Sequence, residues 1–335
     1  MINFDALLTR FLSEYLPSQR NASENTISSY CTVFKYLLIY CRQIEKIPAK
    51  KIDITLFTDD FILRYLQWLQ DERSCSPATI NQRLFVLHSF FRYAQSQLPQ
   101  CYLNFSKILN IPKRKTTKPS IGYVDADSMA KILSSPDTMT ISGRRDMTLL
   151  CLIYDTGARV SEIVGLSIRD VRLDNPAKIR LFGKGSKYRD VPILPQTKNL
   201  LKSYMAENKL LLPGRADHPL FFNRSYERLT RAGVSYILNK YAADFRTVND
   251  TQISPHVLRH TKAMHLLQAG INIVYIRDFL GHSDISTTEV YARADLSMKQ
   301  KALESVKSLS PDTLPIWQKN SDLLTWLEDF SKSKK

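Results

Sequence analysis

With 335 residues, 44% of them hydrophobic, the chain is long enough for two domains with a core each, which excludes a disordered polymer. Forty-seven Lys and Arg against 32 Asp and Glu leave a formal charge of +15, which points to a polyanion, nucleic acid above all, as partner. The five cysteines (Cys31, Cys41, Cys75, Cys101 and Cys151) form no C-x-x-C pair, and no apolar run approaches the roughly 20 residues of a membrane span. Met1 leads into an amphipathic pattern containing Asp5 and Glu14, not a secretory signal, so a reducing, cytoplasmic setting is expected, with neither a disulfide framework nor a zinc ribbon nor a membrane partner.

Residues 1–111 read as an all-helical domain. Ser23 is placed to cap a helix carrying Ile27, Cys31, Phe34, Leu38 and Cys41 on one face, and Thr58 another carrying Ile62, Tyr65, Leu66 and Leu69. Ser76-Pro77, a capping serine with proline at the first helical position, opens a third, striped by Ile80, Leu84, Leu87, Phe91 and Ala94. A bundle of four to five helices is predicted. Its polar faces include Asn25 and Thr26 near one helix start, and Asn81, Gln82 and Arg83 near another. These residues read equally as caps and solvated turns or as groups offered to a nucleic acid. Residues 112–119, with Lys113, Arg114, Lys115 and Lys118 between Pro112 and Pro119, show no apolar period and read as a stiff basic linker, either merely solvated or, if it joins two DNA-facing domains, crossing the phosphate backbone.

Helical patterning resumes at Val124. Asp146–Tyr154 is a buried helix leading into Thr156-Gly157, a turn before a new helix near Val160, so Arg159 stands at a helix entrance with Glu162 as a supporting first-turn carboxylate. Ile179–Phe182, then Gly183-Lys184-Gly185, then Tyr188–Ile193, is strand, turn, strand. The two glycines leave Lys184 free to approach a ligand, with Lys187 and Arg189 as competing cations. Thr197 is a candidate cap for a helix reaching about Asn208, and Arg224, Arg228 and Arg231 precede and open a helix through Tyr236, Leu238 and Tyr241. Beyond Pro311 and Pro315 a last amphipathic segment carries Leu323, Leu324, Leu327 and Phe330 around Trp326.

The chemistry concentrates in His256-Val-Leu-Arg259-His260, in Gly281-His282, read as a helix start, and in Tyr291 nine residues on. Two imidazoles, a guanidinium and a phenol in one segment describe a phosphate site with its own nucleophile. Arginine offers a planar fork for two phosphate oxygens at every relevant pH, so Arg159 and Arg259 suit an electrostatic clamp. Tyrosine, with a pKa of about 10, needs its proton removed as attack develops or a cationic pocket to stabilise the phenolate. A zinc reading of His256, His260, His265 and His282 is disfavoured. It lacks nearby cysteines or an H-E-x-x-H glutamate and sets Arg259 beside the supposed cation. His260 is read as structural and His265 as a surface histidine.

Arg159, Lys184, His256, Arg259, His282 and Tyr291, in this order and context, resemble the tyrosine recombinase or phage integrase family over about residues 5–308. The resemblance implies a mainly α fold with a small antiparallel sheet: an all-helical core-binding domain (1–111), the linker (112–119), a mixed α/β catalytic domain (120–308) and a tail (309–335). It implies Lys184 as general acid for the 5′ oxygen and attack that leaves a 3′-phosphotyrosyl link, with no metal and no cofactor. It also implies the Arg224–Arg231 segment and the first domain's polar faces as DNA contacts, with base readout by Arg228 or Arg231. The partner it implies is double-stranded DNA with inverted-repeat sites, held by a homo-tetramer whose tails are exchanged between protomers. Because the chain starts directly with the core-binding pattern, the resemblance is to Xer-type and simple transposon recombinases. A type IB topoisomerase and a catalytically silent DNA-binding protein are the alternatives; the short basic linker and the retention of all six residues speak against them.

Overall fold

The computed structural model describes residues 4–116, 122–183, 187–281, 288, 291 and 323–332. Two units are found, Met1–Lys118 and Pro119–Lys335, so that the boundary falls inside the basic segment 112–119.

The first unit is built from capped helices packed by aromatic rings. Helix α1 (Phe4–Arg10) runs on through a wider turn at Phe11–Gln19, and α2 (Glu24–Gln43), α3 (Asp59–Asp71), α4 (Pro77–Gln97) and α5 (Tyr102–Leu109) follow. The hydroxyls of Ser23, Thr58 and Ser76 accept the backbone N–H groups of Thr26, Phe61 and Thr79, each satisfying one of the free donors at a helix start. Behind these caps Phe11, Phe34, Phe57, Phe90, Phe91 and Phe105 are fully buried, in edge-to-face pairs such as Phe34–Phe90 at 5.1 Å.

The second unit begins with α6 (Ala126–Ser134), capped by Asp125, and α7 (Ile141–Thr156), capped by Thr140. Helix α7 therefore starts five residues ahead of Asp146, where the sequence pattern places it. Gly157 ends it in the left-handed conformation (φ 56°), and α8 (Val160–Gly165) begins three residues later. Strands β1 (Val171–Arg172), β2 (Lys178–Phe182) and β3 (Tyr188–Pro192) form an antiparallel sheet in that order, with Ile179 opposite Val191 and Leu181 opposite Arg189. Ile179, Leu181 and Val191 face the core. Among the described residues helices α9 (Pro195–Glu207), α10 (Arg231–Ala242), α11 (Pro255–Gln268) and α12 (Ile273–Leu280) follow, and α13 (Leu323–Lys332) lies in the tail, with Leu327 and Phe330 about half exposed.

Two further boundaries differ from the sequence reading. Helix α9 starts at Pro195, with Leu194 in the cap position, and Thr197 is buried within its first turn: proline at the first helical position decided the start. Gly281 does not open a helix but closes α12, in the left-handed region at φ 67°. Among the described residues no helix is long and apolar enough to cross a membrane, and no cluster of three or more His, Cys, Asp or Glu is placed to hold a metal ion.

Candidate active site

Glu162 is the centre around which the cations are arranged. It is 4% exposed, and its carboxylate accepts four hydrogen bonds: from the Arg159 backbone N–H (2.8 Å), Arg159 Nη1 (3.0 Å), and Arg189 Nη1 and Nη2 (both 2.9 Å). The backbone bond closes the entrance of α8, and the side-chain bond holds the Arg159 fork beside it. Burial alone would raise the pKa of Glu162; the hydrogen bonds and charge of Arg189, then those of Arg159, outweigh it and hold the carboxyl below its ordinary range.

Arg189, from β3, reaches across to the end of α12. Its Nε donates to the Phe279 carbonyl at 3.2 Å, and its guanidinium lies under Gly281, where a Cβ would stand 2.9 Å from Cδ and Nη1. Glycine is thus required at 281 by both backbone angle and close approach. Sequence reasoning had weighed Arg189 only as a rival to Lys184. Its place is a strut between the α8 entrance and the residue preceding His282.

Arg259, on α11, is 1% exposed, with Nη1 donating to the Gly157 carbonyl and Nη2 to the Leu280 carbonyl, both at 2.7 Å. The guanidinium therefore pins the two left-handed helix ends on either side of the site. Burial and the neighbouring charge of Arg159 pull its pKa down to about 10, so it stays charged at neutral pH. Arg159, Arg189 and Arg259 together face one described carboxylate, Glu162. A buried group of like charges with too few counter-charges is costly unless an anion completes it.

Tyr291 is 2% exposed and packs with Ala263, Met264, Leu267, Ile276 and Leu280. Burial raises its pKa to about 12, against the opposing pull of Arg259 and Arg159, which places both guanidiniums within electrostatic reach of the phenol. Its hydroxyl lies 2.8 Å from Nδ1 of His260. His256, one turn earlier on the same helix face, is exposed, and its ring meets that of His260 at 4.3 Å. Burial, then Arg259 and Arg159, lower the pKa of His256; burial, then His256 and Arg259, take His260 down to about 4.

The structure therefore brings Arg159, Glu162, His256, Arg259 and Tyr291 together and adds Arg189 and His260, which sequence reasoning had not assigned to the chemistry. Lys184 and His282 lie outside the described residues. His265 is no surface histidine: it is half-buried, with Nδ1 2.7 Å from the Tyr154 hydroxyl and Nε2 3.0 Å from the Val124 carbonyl.

The residues read as nucleic-acid contacts divide. Asn25, Thr26, Gln82, Lys113, Lys115, Arg224 and Arg231 are exposed, although the Thr26 hydroxyl also bonds that of Ser23. The Asn81 amide is used within the protein, exchanging two hydrogen bonds with the Arg114 backbone (2.9 and 2.8 Å), and the Arg114 side chain bonds Gln67 and Gln70. Arg83 lies over the Tyr36 ring at 4.3 Å. The guanidinium of Arg228 donates to the carbonyls of Val164 and Leu166 and to the Ser167 hydroxyl, fastening its segment to the end of α8. Asn81 and Arg228 thus act first as fasteners, because each finds backbone partners close in space that lie more than 30 residues away in sequence.

A mainly helical two-unit protein with a small antiparallel sheet, a cationic pocket and a buried tyrosine inside it defines a narrow class, and comparison agrees. Residues 123–298 match the description "Phage integrase family", and residues 7–98 match "Phage integrase, N-terminal SAM-like domain". Tyrosine recombinase XerD of Listeria monocytogenes is 32% identical over 287 residues, covering 85% of this chain and 93% of the relative. XerC of Myxococcus xanthus is 31% identical over 314 residues, covering 91% and 98%. Among solved structures, XerH site-specific recombinase bound to its difH substrate in a pre-cleavage complex superposes with a TM-score of 0.64 at 25% identity, covering 87% of this chain and 83% of that one. The chain belongs to the phage integrase family. It is a tyrosine-type site-specific recombinase.

Proposed function

We propose that Tyr291 attacks a DNA phosphodiester and forms a 3′-phosphotyrosyl link, which a 5′ hydroxyl from another strand then reverses. The observation that carries this reading is the burial of the Tyr291 hydroxyl within the field of Arg159 and Arg259, in a pocket whose cations outnumber its described carboxylate. A phosphate supplies the missing negative charge. Arg159 and His256, the more exposed pair, take its non-bridging oxygens; Arg259 fixes the backbone around them and lends charge; His282 joins from beyond Gly281. Because the phosphoester is conserved in the protein link, the reaction needs no nucleotide, and because guanidiniums neutralise the charge, it needs no metal.

In this reading the DNA substrate carries inverted repeats, two protomers sit on each site, and a tetramer joins two sites. Unit 1, the 112–119 linker and the exposed Arg224 and Arg231 grip the duplex, so raising salt should weaken binding steeply. Lys184 serves as the acid for the departing 5′ oxygen. Lys184→Ala should then cleave ordinary DNA roughly 10²–10⁴-fold more slowly, yet recover on a duplex whose 5′ bridging oxygen is sulfur, which leaves without protonation. Equal slowing on both substrates removes Lys184 from the role, and Lys187→Ala serves as control.

The tail completes the assembly by docking on a neighbouring protomer, head to tail around the ring. Support comes from α13, a 10-residue amphipathic helix that is too short to be stable alone in water and shows half-exposed Leu327 and Phe330. Deleting residues 312–335 should leave a folded protein that binds a single half-site but loses cooperative binding and strand exchange, as read by gel shift and recombination assays. Insolubility, or a much lower melting temperature in the DNA-free monomer, would place the helix on its own body instead.

A further inference from the structure

Attack by Tyr291 requires somewhere for the phenolic proton to go. The hydroxyl is buried and its pKa stands at about 12, so at neutral pH roughly one molecule in 10⁵ carries a phenolate. Arginine cannot accept a proton. Glu162 has both oxygens filled by four donors, and Asp155 is taken by the Leu194 N–H and by Lys262 at 3.5 Å. Among the described residues of the pocket the Tyr291 hydroxyl has one ring nitrogen at hydrogen-bond distance, Nδ1 of His260 at 2.8 Å.

The two histidines of α11 divide along that helix face. His256 is exposed, open to a ligand arriving from solvent. His260 lies one turn deeper, with its ring centroid 5.5 Å from that of Tyr291. With the phenol as donor, Nδ1 is the unprotonated nitrogen of the neutral ring and Nε2 holds its hydrogen. This is the arrangement a general base has before it acts.

We propose that His260 accepts the phenolic proton of Tyr291 as the phenol attacks phosphorus, and returns it when the link is reversed. The inference rests on Tyr291 being the nucleophile. In the forward step the O–H bond of Tyr291 breaks and its oxygen bonds to phosphorus. The bond from phosphorus to the 5′ oxygen breaks, and the electron pair leaves with that oxygen, which takes a proton from the acid assigned above to Lys184. The phenolic proton goes to Nδ1, leaving His260 as an imidazolium with a hydrogen on each nitrogen. Reversal runs the same transfers backward, with no change of oxidation state.

The surroundings make this base dependent on substrate. His256 and Arg259 on α11 and Arg159 at the start of α8 face the His260–Tyr291 pair, and in the absence of DNA their positive field opposes an imidazolium. A bound phosphodiester places negative charge among those cations and removes that opposition. The base gains strength when the atom to be attacked is present, which guards the nucleophile against ionising at an empty site.

The test follows covalent adduct formation in a single turnover, using a duplex selected from random sequence by the full-length protein and then nicked beside the cleavage point so that the product cannot religate. With the wild-type protein the adduct should map to Tyr291 by peptide mass, with a rate that falls on the acidic side of its pH profile. An adduct on another tyrosine would overturn the proposed function together with this inference. His260→Ala should bind a half-site normally, cleave roughly 10²–10⁴-fold more slowly at neutral pH, lose the acidic limb and be accelerated by added imidazole. His260→Asn, whose side-chain oxygen can accept the phenolic hydrogen bond but not the proton, should remain slow. With the adduct on Tyr291, either His260→Asn cleaving within about threefold of wild type or His260→Ala keeping the acidic limb would show that His260 only positions the phenol.

Discussion

Tyr291→Phe is expected to abolish the covalent DNA adduct while leaving the protein folded and able to bind its site. The phenyl ring keeps the packing against Ala263, Met264, Leu267, Ile276 and Leu280, and the variant gives up a single hydrogen bond, to Nδ1 of His260, worth about 1 kcal/mol. No water-sized change of shape accompanies the loss. Removing a nucleophile, by contrast, removes the reaction path, so adduct formation on a nicked duplex should fall by at least ~10⁴-fold. Half-site binding by gel shift should stay within a factor of a few, since the guanidiniums and the exposed cations that hold phosphates are untouched. An adduct that persists in this variant would hand the role to another tyrosine, with Tyr275 and Tyr236, both largely exposed, next in line.

How much of this was legible in the sequence depended on the range of the interactions concerned. The caps at Ser23, Thr58 and Ser76, the antiparallel pairing of β2 with β3 and the arginine at the α8 entrance are written in neighbouring residues, because such features are satisfied within a few positions. The rest of the site is joined over long distances. Arg189 reads as one more cation on a strand, but its partners are Glu162, 27 residues away, and the Phe279 carbonyl, 90 away. His256 and His260 share a helix face by spacing alone. Which of them meets a tyrosine 31 residues later is decided by how α11 packs beneath α12. His265 looked superficial because its partners, the Tyr154 hydroxyl and the Val124 carbonyl, come from segments more than 100 residues upstream. The backbone bonds of Asn81 and Arg228 were hidden for the same reason: a polar side chain near a helix start offers the same atoms to a ligand and to a distant backbone.

The second large effect is expected at Glu162, where stability and chemistry meet. Glu162→Ala leaves Arg189, only 15% exposed, without its bidentate partner and removes the carboxylate that closes the α8 entrance under Arg159. Breaking one side of a buried ion pair costs about 3–5 kcal/mol, which in a unit of this size lowers the melting temperature on the order of 10 °C. Adduct formation should fall further than binding, because Arg159 loses the contact that aims its fork while its charge remains. Glu162→Gln separates shape from charge. The amide fills the same space but offers one acceptor oxygen to donors that had two, so a smaller loss of the same kind is expected. The pH dependence gives the decisive sign. The folded-state pKa of Glu162 lies below its unfolded value, so the stability it contributes is fully present above the ordinary carboxylate pKa and is lost as pH falls through the folded value. The gap in melting temperature between wild type and Glu162→Gln should therefore be widest near neutrality and narrow steadily in acid below about pH 4.5. A gap that stays constant from neutral to acidic pH would mean that Glu162 holds the site through packing rather than through its charge.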